Sequence, residues 1–206
     1  LSAPSLDNVT IGGLVDIDGN VYRTVVIGTQ HWMAENLKVT KYRNGDNITH
    51  ITANSSWGSN TDGAYGYLDN NTANRDTYGM LYNWHAVDNS SSLYICPQGW
   101  HVPTSAEFTV LTNALGVNTV IKMKEAGNAH WNSNTNATND SGFTALPAGY
   151  RSIAGSYSAL RHFAYFWSST TNSSGADFLE LRSNDNTVYR RTLSKAYGFS
   201  IRCLED

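Results

Sequence analysis

The stretch CPQGWHVPTSAEFTVL, which runs from Cys96 to Leu111, gives the clearest structural signal of this chain: a helix that starts just after a Trp-His turn. Thr104 immediately precedes the helical segment, and Glu107 stands three residues after Thr104. This spacing is a capping box, in which each of the two side chains accepts a hydrogen bond from the other residue's backbone amide. We therefore predict a helix that begins after Thr104 and ends at Gly116. Its buried stripe consists of Phe108, Leu111 and Leu115.

The same stretch gathers residue types that occur in catalytic and metal sites, namely Cys96, His101 and Glu107. However, no second histidine stands four residues after His101, and the six histidines of the chain form no HExxH or HxH pattern. We therefore expect His101 to be packed or half-buried and Glu107 to serve as the helix cap.

The chain contains two cysteines, Cys96 and Cys203. Because the composition is typical of a secreted protein, we favour a disulfide between them over two free thiols. The bridge would join a predicted terminal strand to the loop before the helix, and closing so long a loop stabilises a fold by about 4 to 5 kcal/mol in the chain-entropy model. A CxxC metal site is excluded, since the two cysteines are far apart in the sequence.

Length and composition restrict the class of protein. The chain has 206 residues, of which 15% are charged and 12% aromatic, and its net charge is -3. Without a basic field, neither nucleic acid nor an anionic membrane surface is an expected partner. Membrane insertion is not expected either, because no stretch approaches the ~18 apolar residues of a membrane span. The composition is typical of a β-rich extracellular module. The chain opens with LSAPSLDN and no initiator methionine. We interpret residues 1–206 as a single, monomeric ligand-binding domain excised from a larger secreted surface protein.

The order of predicted elements favours an α+β fold that is mostly antiparallel sheet, with one or two helices and long irregular loops. Two β-branched runs flank the DGN turn at 18–20, which predicts a hairpin. Trp32, Met33 and Leu37 occur at helical spacing and predict a short helix or turn. The segment YGMLYNWHAV fits a strand or a short helix equally well, and the chain after the Asn-rich loop is predicted to form short strands.

No arrangement of residues indicates catalysis. The chain has no GxSxG elbow, no P-loop and no papain-type signature around Cys96. Its 17 acidic residues include no pair singled out for glycoside hydrolysis. We therefore predict that the protein is not an enzyme.

Loops rich in asparagine and aspartate, such as NSNTNATNDSG and RSNDNTVY, supply the oxygen ligands that Ca²⁺ prefers. For any one of these residues, ordinary turn chemistry is the better explanation. For the whole set we predict at least one bound Ca²⁺. The candidate calcium ligands are Asn136, Asn139, Asp140, Asp177 and Asp185.

Arginine and aromatic residues are mixed on successive predicted strands of the second half. Such mixtures can stack on a ligand or bind a carboxylate with two parallel hydrogen bonds, although they also occur as outward-facing residues of a sheet. The candidate ligand-binding residues are Tyr150, Arg151, Tyr157, Arg161, Tyr165, Arg182 and Arg190.

Six motifs occur together and in order: DIDGNVYRTVVIGTQHWMAENL, YGMLYNWHAV, CPQGWHVPTSAEFTVL, SGFTALPAGYR, FWSST and YGFSIRC. Over nearly all of the chain after the first dozen residues, they resemble the Fibrobacter succinogenes major paralogous domain of bacterial surface proteins. The resemblance implies a C-type-lectin-like fold, in which the helix packs on a sheet closed by the terminal SIRC strand. It also implies that Trp32, Trp84, Trp100 and Trp167 define the core. The stretch GADFLELRSNDNTVYRR departs from the usual family pattern, so specificity is expected there.

Relatives of this family include calcium-dependent peptide-binding domains of repeats-in-toxin adhesins, among them that of a marine ice-binding adhesin. These domains hold the free C-terminal end of a target protein. The resemblance therefore implies a noncatalytic adhesin module at the cell surface that binds, through Ca²⁺, the peptide C-termini of proteins on other cells or surfaces.

Two alternatives remain open at the level of the sequence. A calcium-dependent glycan-binding module would keep the lectin-like fold, although the chain contains no QPD or EPN motif. An enzyme related to the formylglycine-generating group would need reactive cysteines or a copper site, which a disulfide between Cys96 and Cys203 makes very improbable.

Overall fold

The computed structural model describes residues 9–87, 93–134 and 136–206, without the side chains of residues 9–12. Within these ranges the chain forms three β-sheets, and all strand pairs but one are antiparallel. The helices are few and short. The prediction of an α+β fold that is mostly antiparallel sheet is confirmed at this level.

The first sheet begins with the predicted hairpin. Its two strands pair antiparallel on either side of the turn at 16–20, where Gly19 has a φ of 80°. The Asp16 carboxylate closes the turn, because it accepts hydrogen bonds from the backbone amides of Asp18 (2.9 Å) and Asn20 (3.0 Å). The sheet order is β1-β2-β3-β14-β7. The strands are β1 (Val9–Val15), β2 (Val21–Ile27), β3 (Gln30–Met33), β7 (Trp100–His101) and β14 (Leu204–Glu205).

The helix or turn predicted around Trp32 is wrong, because Gln30–Met33 forms strand β3. Trp32 and Met33 are both fully buried, and they belong to two different core clusters on opposite faces of this strand. A strand that is covered on both faces has consecutive apolar residues, which resemble helical spacing in a short window.

The second sheet is the antiparallel sheet predicted for the second half of the chain. Its inner face packs against the long helix through Ala164, Phe166, Leu179 and Leu181, which share a core cluster with Phe108. Its three consecutive strands are β10 (Phe163–Asn172), β11 (Gly175–Arg182) and β12 (Tyr189–Leu193).

The third sheet has the order β4-β5-β6-β13-β8-β9, in which β4 and β5 are the parallel pair. The segment that fitted either a strand or a helix contains both, since strand β6 is followed by a 3₁₀ turn at Trp84–Ala86. The strands are β4 (Thr49–His50), β5 (Ala64–Tyr67), β6 (Met80–Asn83), β8 (Tyr150–Arg151), β9 (Tyr157–Ser158) and β13 (Gly198–Phe199).

The long helix matches its prediction. Helix α3 spans Ser105–Leu115, Thr104 and Glu107 form the complete capping box, and Gly116 follows with a φ of 63°. The predicted stripe of three apolar residues is buried. In the described part of the chain, no helix is long and apolar enough to cross a membrane. The other helices are α1 (Asn54–Gly58), α2 (Arg75–Tyr78) and α4 (Thr119–Met123), with further 3₁₀ turns at Leu68–Asn70 and Thr72–Asn74.

The Glu107 carboxylate has a second partner that the sequence did not indicate. Its Oε2 accepts from the Thr104 amide at 2.7 Å, while its Oε1 lies 3.0 Å from Nε2 of His101. His101 is half-buried, as predicted, and its Nδ1 contacts Asp206 at 2.7 Å. The carboxylate therefore caps the helix and joins it to the first sheet.

The predicted disulfide between Cys96 and Cys203 is present, and it joins residues 107 positions apart. Both cysteines are buried. The sequence suggested that Cys203 lies within a terminal strand. In the structure it directly precedes strand β14. The four tryptophans expected in the core are all buried there: Trp32, Trp84, Trp100 and Trp167.

Removing the disulfide should destabilise the fold strongly. Because the bridge closes a loop of 107 residues, the double variant Cys96→Ala/Cys203→Ala should lose about 4 kcal/mol of unfolding free energy in urea denaturation. The wild-type protein under reducing conditions should behave in the same way. A loss below about 1 kcal/mol would contradict a major role for loop closure.

The stability contributed by Glu107 should depend on pH. Partial burial raises the pKa of this carboxyl, but hydrogen bonds from Thr104 and His101 outweigh that effect and lower the pKa below its usual value. The contribution is therefore present above about pH 4.3, the unfolded pKa, and is lost as the pH falls through the lower folded pKa. Glu107→Gln should destabilise the protein by about 1 kcal/mol at pH 7. In urea titrations the difference should shrink as the pH falls below about 4.3, whereas a difference that stays constant would contradict this assignment.

Candidate functional site

The outer face of the second sheet carries alternating aromatic and charged side chains, and we call it the aromatic–arginine face. Strand register places Tyr165, Glu180 and Tyr189 in one row across the three strands. Arg182 and Arg191 lie two residues further along their strands, on the same side of the sheet. These five residues define the face.

Glu180 organises the charges of this face. Glu180 is only 4% exposed to solvent, and its Oε1 accepts a hydrogen bond of 2.5 Å from Nε of Arg182. Its Oε2 lies 3.7 Å from Nε of Arg191. This hydrogen bond raises the pKa of the Arg182 guanidinium. One buried carboxylate is thus shared by two arginines, and its bond to Arg182 is much the shorter.

Tyr189 separates the two guanidinium groups. Its ring centroid lies 4.0 Å from the Arg182 guanidinium and 5.0 Å from that of Arg191. Its hydroxyl donates to Asp185, whose charge also acts on Arg182. The Arg191 side chain is 50% exposed, and among the described residues it has no ion-pair partner closer than Glu180. Arg191 therefore combines a half-exposed guanidinium with weak pairing.

An aromatic pocket of about 150 Å³ adjoins this face. Tyr165 belongs to both, because its ring stacks on Phe199 at 4.8 Å and meets the edge of Tyr150 at 5.6 Å. Tyr197 completes the cluster, with its ring 5.9 Å from that of Tyr150. The pocket is lined by Tyr150, Tyr165, Leu193, Tyr197 and Phe199.

The Tyr165 hydroxyl remains protonated at neutral pH. Burial raises its pKa, and the nearby Glu180 carboxylate and Tyr150 raise it further, against the opposing effect of Arg182 and Arg191. Because Tyr165 lines the pocket and lies opposite Glu180 in the strand register, the pocket and the charged row are adjacent.

Three of the seven predicted ligand-binding residues come together at this site: Tyr150, Tyr165 and Arg182. The structure places the other four elsewhere. Arg161 is exposed in the turn before β10, where its Nη1 donates to the backbone oxygen of Ala129 at 3.1 Å. Tyr157 is half-buried in β9 and donates to Asn70 at 3.0 Å.

Arg151 is an interior residue, contrary to its expected place on a binding surface. Its side chain is completely buried, and its guanidinium lies between the rings of Trp57 (4.2 Å) and Tyr157 (4.8 Å). It donates hydrogen bonds to the backbone oxygens of Gly155 (2.8 Å) and Thr52 (3.0 Å), as well as to Ile51. All of its donor groups are thus directed at backbone, which gives Arg151 a structural role.

Arg190 is exposed and lies on the opposite face of β12, next to helix α3. Its Nη1 donates to Thr109 Oγ1 at 2.9 Å, and its Nη2 donates to the Phe108 carbonyl at 3.1 Å and to Thr112. These bonds attach β12 to helix α3. Arg190 therefore supports the aromatic–arginine face from behind.

The predicted calcium ligands at 136–140 form a turn closed by its own side chains. Asn136 and Asn139 have φ values of 63° and 57°, the left-handed conformation that asparagine tolerates. The Asn139 side chain both accepts from and donates to Thr144, at 2.9 Å in each case. Asp140 is exposed beside them.

The other two predicted calcium ligands belong to different neighbourhoods. Asp177 accepts from Ser105 at 2.8 Å and from Thr192 at 2.6 Å, whereas Asp185 accepts from the Thr187 amide at 2.8 Å. In the ranges that the structure covers, no three His, Cys, Asp or Glu side chains form a group able to hold a metal. The five predicted residues thus lie in separate neighbourhoods of the fold, and the prediction of bound Ca²⁺ stays a prediction.

The residues predicted from the sequence do not include several members of this face and pocket: Glu180, Tyr189, Arg191, Leu193, Tyr197 and Phe199. A signal for some of them was present in the sequence. Period-two alternation along YRRTL puts Tyr189, Arg191 and Leu193 on one face and Arg190 on the other. The contributions of Tyr197 and Phe199 depend on how separate sheets meet, which no local pattern indicates.

The chain belongs to the Fibrobacter succinogenes major domain family, whose model matches residues 25–205. The match runs from β2 to β14 and includes parts of all three sheets. The family resemblance expected from the six motifs is therefore confirmed. No curated protein and no solved structure matches the chain.

Substitution of the buried Arg151 and of the exposed Arg191 should affect stability to different extents. Arg151→Met should lower the free energy of unfolding by about 3 kcal/mol or more, because it leaves buried carbonyl groups without donors. Arg191→Met should change it by about 0.5 kcal/mol or less, as expected for an exposed side chain with weak pairing. Urea denaturation of both variants measures these changes. Equal losses of unfolding free energy would contradict the assignment of Arg151 as a structural residue and Arg191 as a weakly paired surface residue.

Proposed function

We propose that this member of the Fibrobacter succinogenes major domain family is a noncatalytic adhesin module that binds the free C-terminal end of target peptides on its aromatic–arginine face. One observation carries the proposal: the half-exposed guanidinium of Arg191 shares a sheet face with an aromatic pocket of about 150 Å³. A peptide C-terminus presents the matching pair of groups, a carboxylate and the adjacent last side chain.

The carboxylate end of the ligand would bind Arg191. An arginine fork matches a carboxylate with two parallel hydrogen bonds, and such charge-assisted bonds are stronger than neutral ones. Glu180 lies 3.7 Å from Arg191, close enough to limit its orientation and too far for a strong competing hydrogen bond. Arg182 adds positive charge to the same face.

The last side chain of the ligand would enter the aromatic pocket. A volume of about 150 Å³, walled by Tyr150, Tyr165, Tyr197, Phe199 and Leu193, suits one aliphatic or aromatic side chain. Burial of such a side chain contributes about 1.5 to 3 kcal/mol. We therefore expect preference for an apolar last residue.

The wider features of this proposal rest on the family and the composition. Family membership and the sequence motifs support a C-type-lectin-like fold, and the disulfide supports an extracellular place within a larger surface adhesin. The resemblance also suggests dependence on Ca²⁺. The carboxylate contact proposed here is made by arginine, and a role for Ca²⁺ stays a prediction of the resemblance.

A peptide titration tests this function directly. Peptides with an apolar last residue and a free C-terminus should bind, and amidation of that C-terminus should weaken binding about tenfold, the equivalent of 1.4 kcal/mol. Arg191→Gln should weaken binding of the peptide with a free C-terminus by a similar factor, and it should leave binding of the amidated peptide unchanged. Isothermal titration calorimetry in the presence and absence of EDTA gives both results.

A matched variant and competitor sugars complete this experiment. Arg161→Gln removes an exposed arginine that lies outside the site, so it should leave peptide binding unchanged. Equal affinity for free and amidated peptides would exclude carboxylate recognition. Loss of binding in EDTA would show dependence on calcium. Displacement of the peptide by glycans would favour the calcium-dependent lectin.

A further inference from the structure

A second cavity, of about 310 Å³, lies between the turn at 42–47, the loop at 61–63 and the 3₁₀ turn after β6. None of its lining residues belongs to the aromatic–arginine face. Six of the lining side chains carry hydrogen-bonding groups: Tyr42, Asn47, Thr49, Thr61, Asp62 and His85. The volume is at the lower end of the range for small-molecule sites, roughly 300 to 1,000 Å³.

Tyr42 lines this cavity, and its hydroxyl oxygen lies beside Gly63, another lining residue. The residue is 5% exposed, yet its hydroxyl has no hydrogen-bond partner among the described residues and is not sealed from solvent. A Cβ atom at Gly63 would lie 1.8 Å from that oxygen, so any other residue at this position would displace the hydroxyl. Burial, together with the nearby Asp62, raises the pKa of Tyr42 to about 12, so the hydroxyl stays neutral and can both donate and accept.

The walls of the cavity are held in place by Asn83, which is 2% exposed. Its Nδ2 donates to the Asp62 carbonyl at 2.7 Å, and its Oδ1 accepts from the amides of Ala64 (2.9 Å) and Ala86 (3.2 Å). One buried side chain thus fixes the loop before β5 against the turn after β6. A site supported in this way is preorganised for a ligand.

The lining chemistry selects the class of ligand. Hydroxyl, amide and imidazole groups surround a single carboxylate, that of Asp62. This carboxylate repels anions, and the polar lining does not suit an apolar group. Asp62 is exposed to solvent, so its attraction for an organic cation is weak. We propose that this cavity binds a neutral sugar unit, whose several hydroxyls pair with the Tyr42 hydroxyl, the Asp62 carboxylate and the neighbouring amide and hydroxyl groups.

Titration of the ¹⁵N-labelled protein with a panel of free monosaccharides tests this site. At least one sugar should shift the amide signals of Thr61 and Gly63 saturably, with a dissociation constant in the millimolar range. Tyr42→Phe removes only the hydroxyl and should weaken this binding about 5- to 10-fold, the loss expected for one hydrogen bond. Tyr94→Phe changes an exposed tyrosine that does not line the cavity, and it should have no effect.

Three results would overturn the proposal: no saturable shift of the cavity amides with any sugar, equal sugar affinity in Tyr42→Phe, or stronger shifts with tetramethylammonium than with every sugar. Arg191→Gln should leave sugar binding unchanged. The experiments can therefore contradict the sugar site and the peptide site independently of each other.

Discussion

The buried guanidinium of Arg202 is the interaction on which the arrangement of the sheets depends. The residue is fully buried, and it donates to the Asn36 amide oxygen at 2.6 Å and to the backbone oxygens of Met33 (3.2 Å), Thr144 (2.9 Å) and Phe143. Burial lowers its pKa to about 9, so it remains charged at neutral pH. A buried charge is stable only when its donors are satisfied. The segments that supply these oxygens are therefore held in one arrangement around it.

This constraint acts on the last strands of the chain, which connect the three sheets. Strand β13 pairs within the third sheet, Ser200 forms a bridge with Phe166 of the second, and β14 pairs within the first. Cys203, next to Arg202, is bonded to Cys96. Phe199 packs under Tyr165 at 4.8 Å, so the proposed peptide pocket exists only where β13 and β10 meet. The proposed binding site is thus formed by the same contacts that join the sheets.

Local chemistry made much of the fold predictable. The hairpin, the capped helix, the disulfide and the strands of the second half all follow from turn residues, caps and alternation within short windows. The prediction of a helix or turn around Trp32 and Met33 is wrong because both faces of their strand are covered, so its apolar residues do not alternate with polar ones. Within the candidate site, alternation distinguishes Arg191 from Arg190, but the burial of Arg151 depends on loops about a hundred residues away in the sequence. Contacts of that kind have no local signature.

The proposed peptide site requires that a ligand carboxylate be bound by arginine beside an aromatic pocket. A crystal structure of the protein with a peptide that has a free C-terminus and an apolar last residue tests this most directly. We expect the carboxylate to lie within hydrogen-bonding distance of the Arg191 guanidinium, about 3 Å, and the last side chain to contact Tyr165 and Phe199. A C-terminus held by a metal ion, or seated away from the aromatic–arginine face, would contradict it.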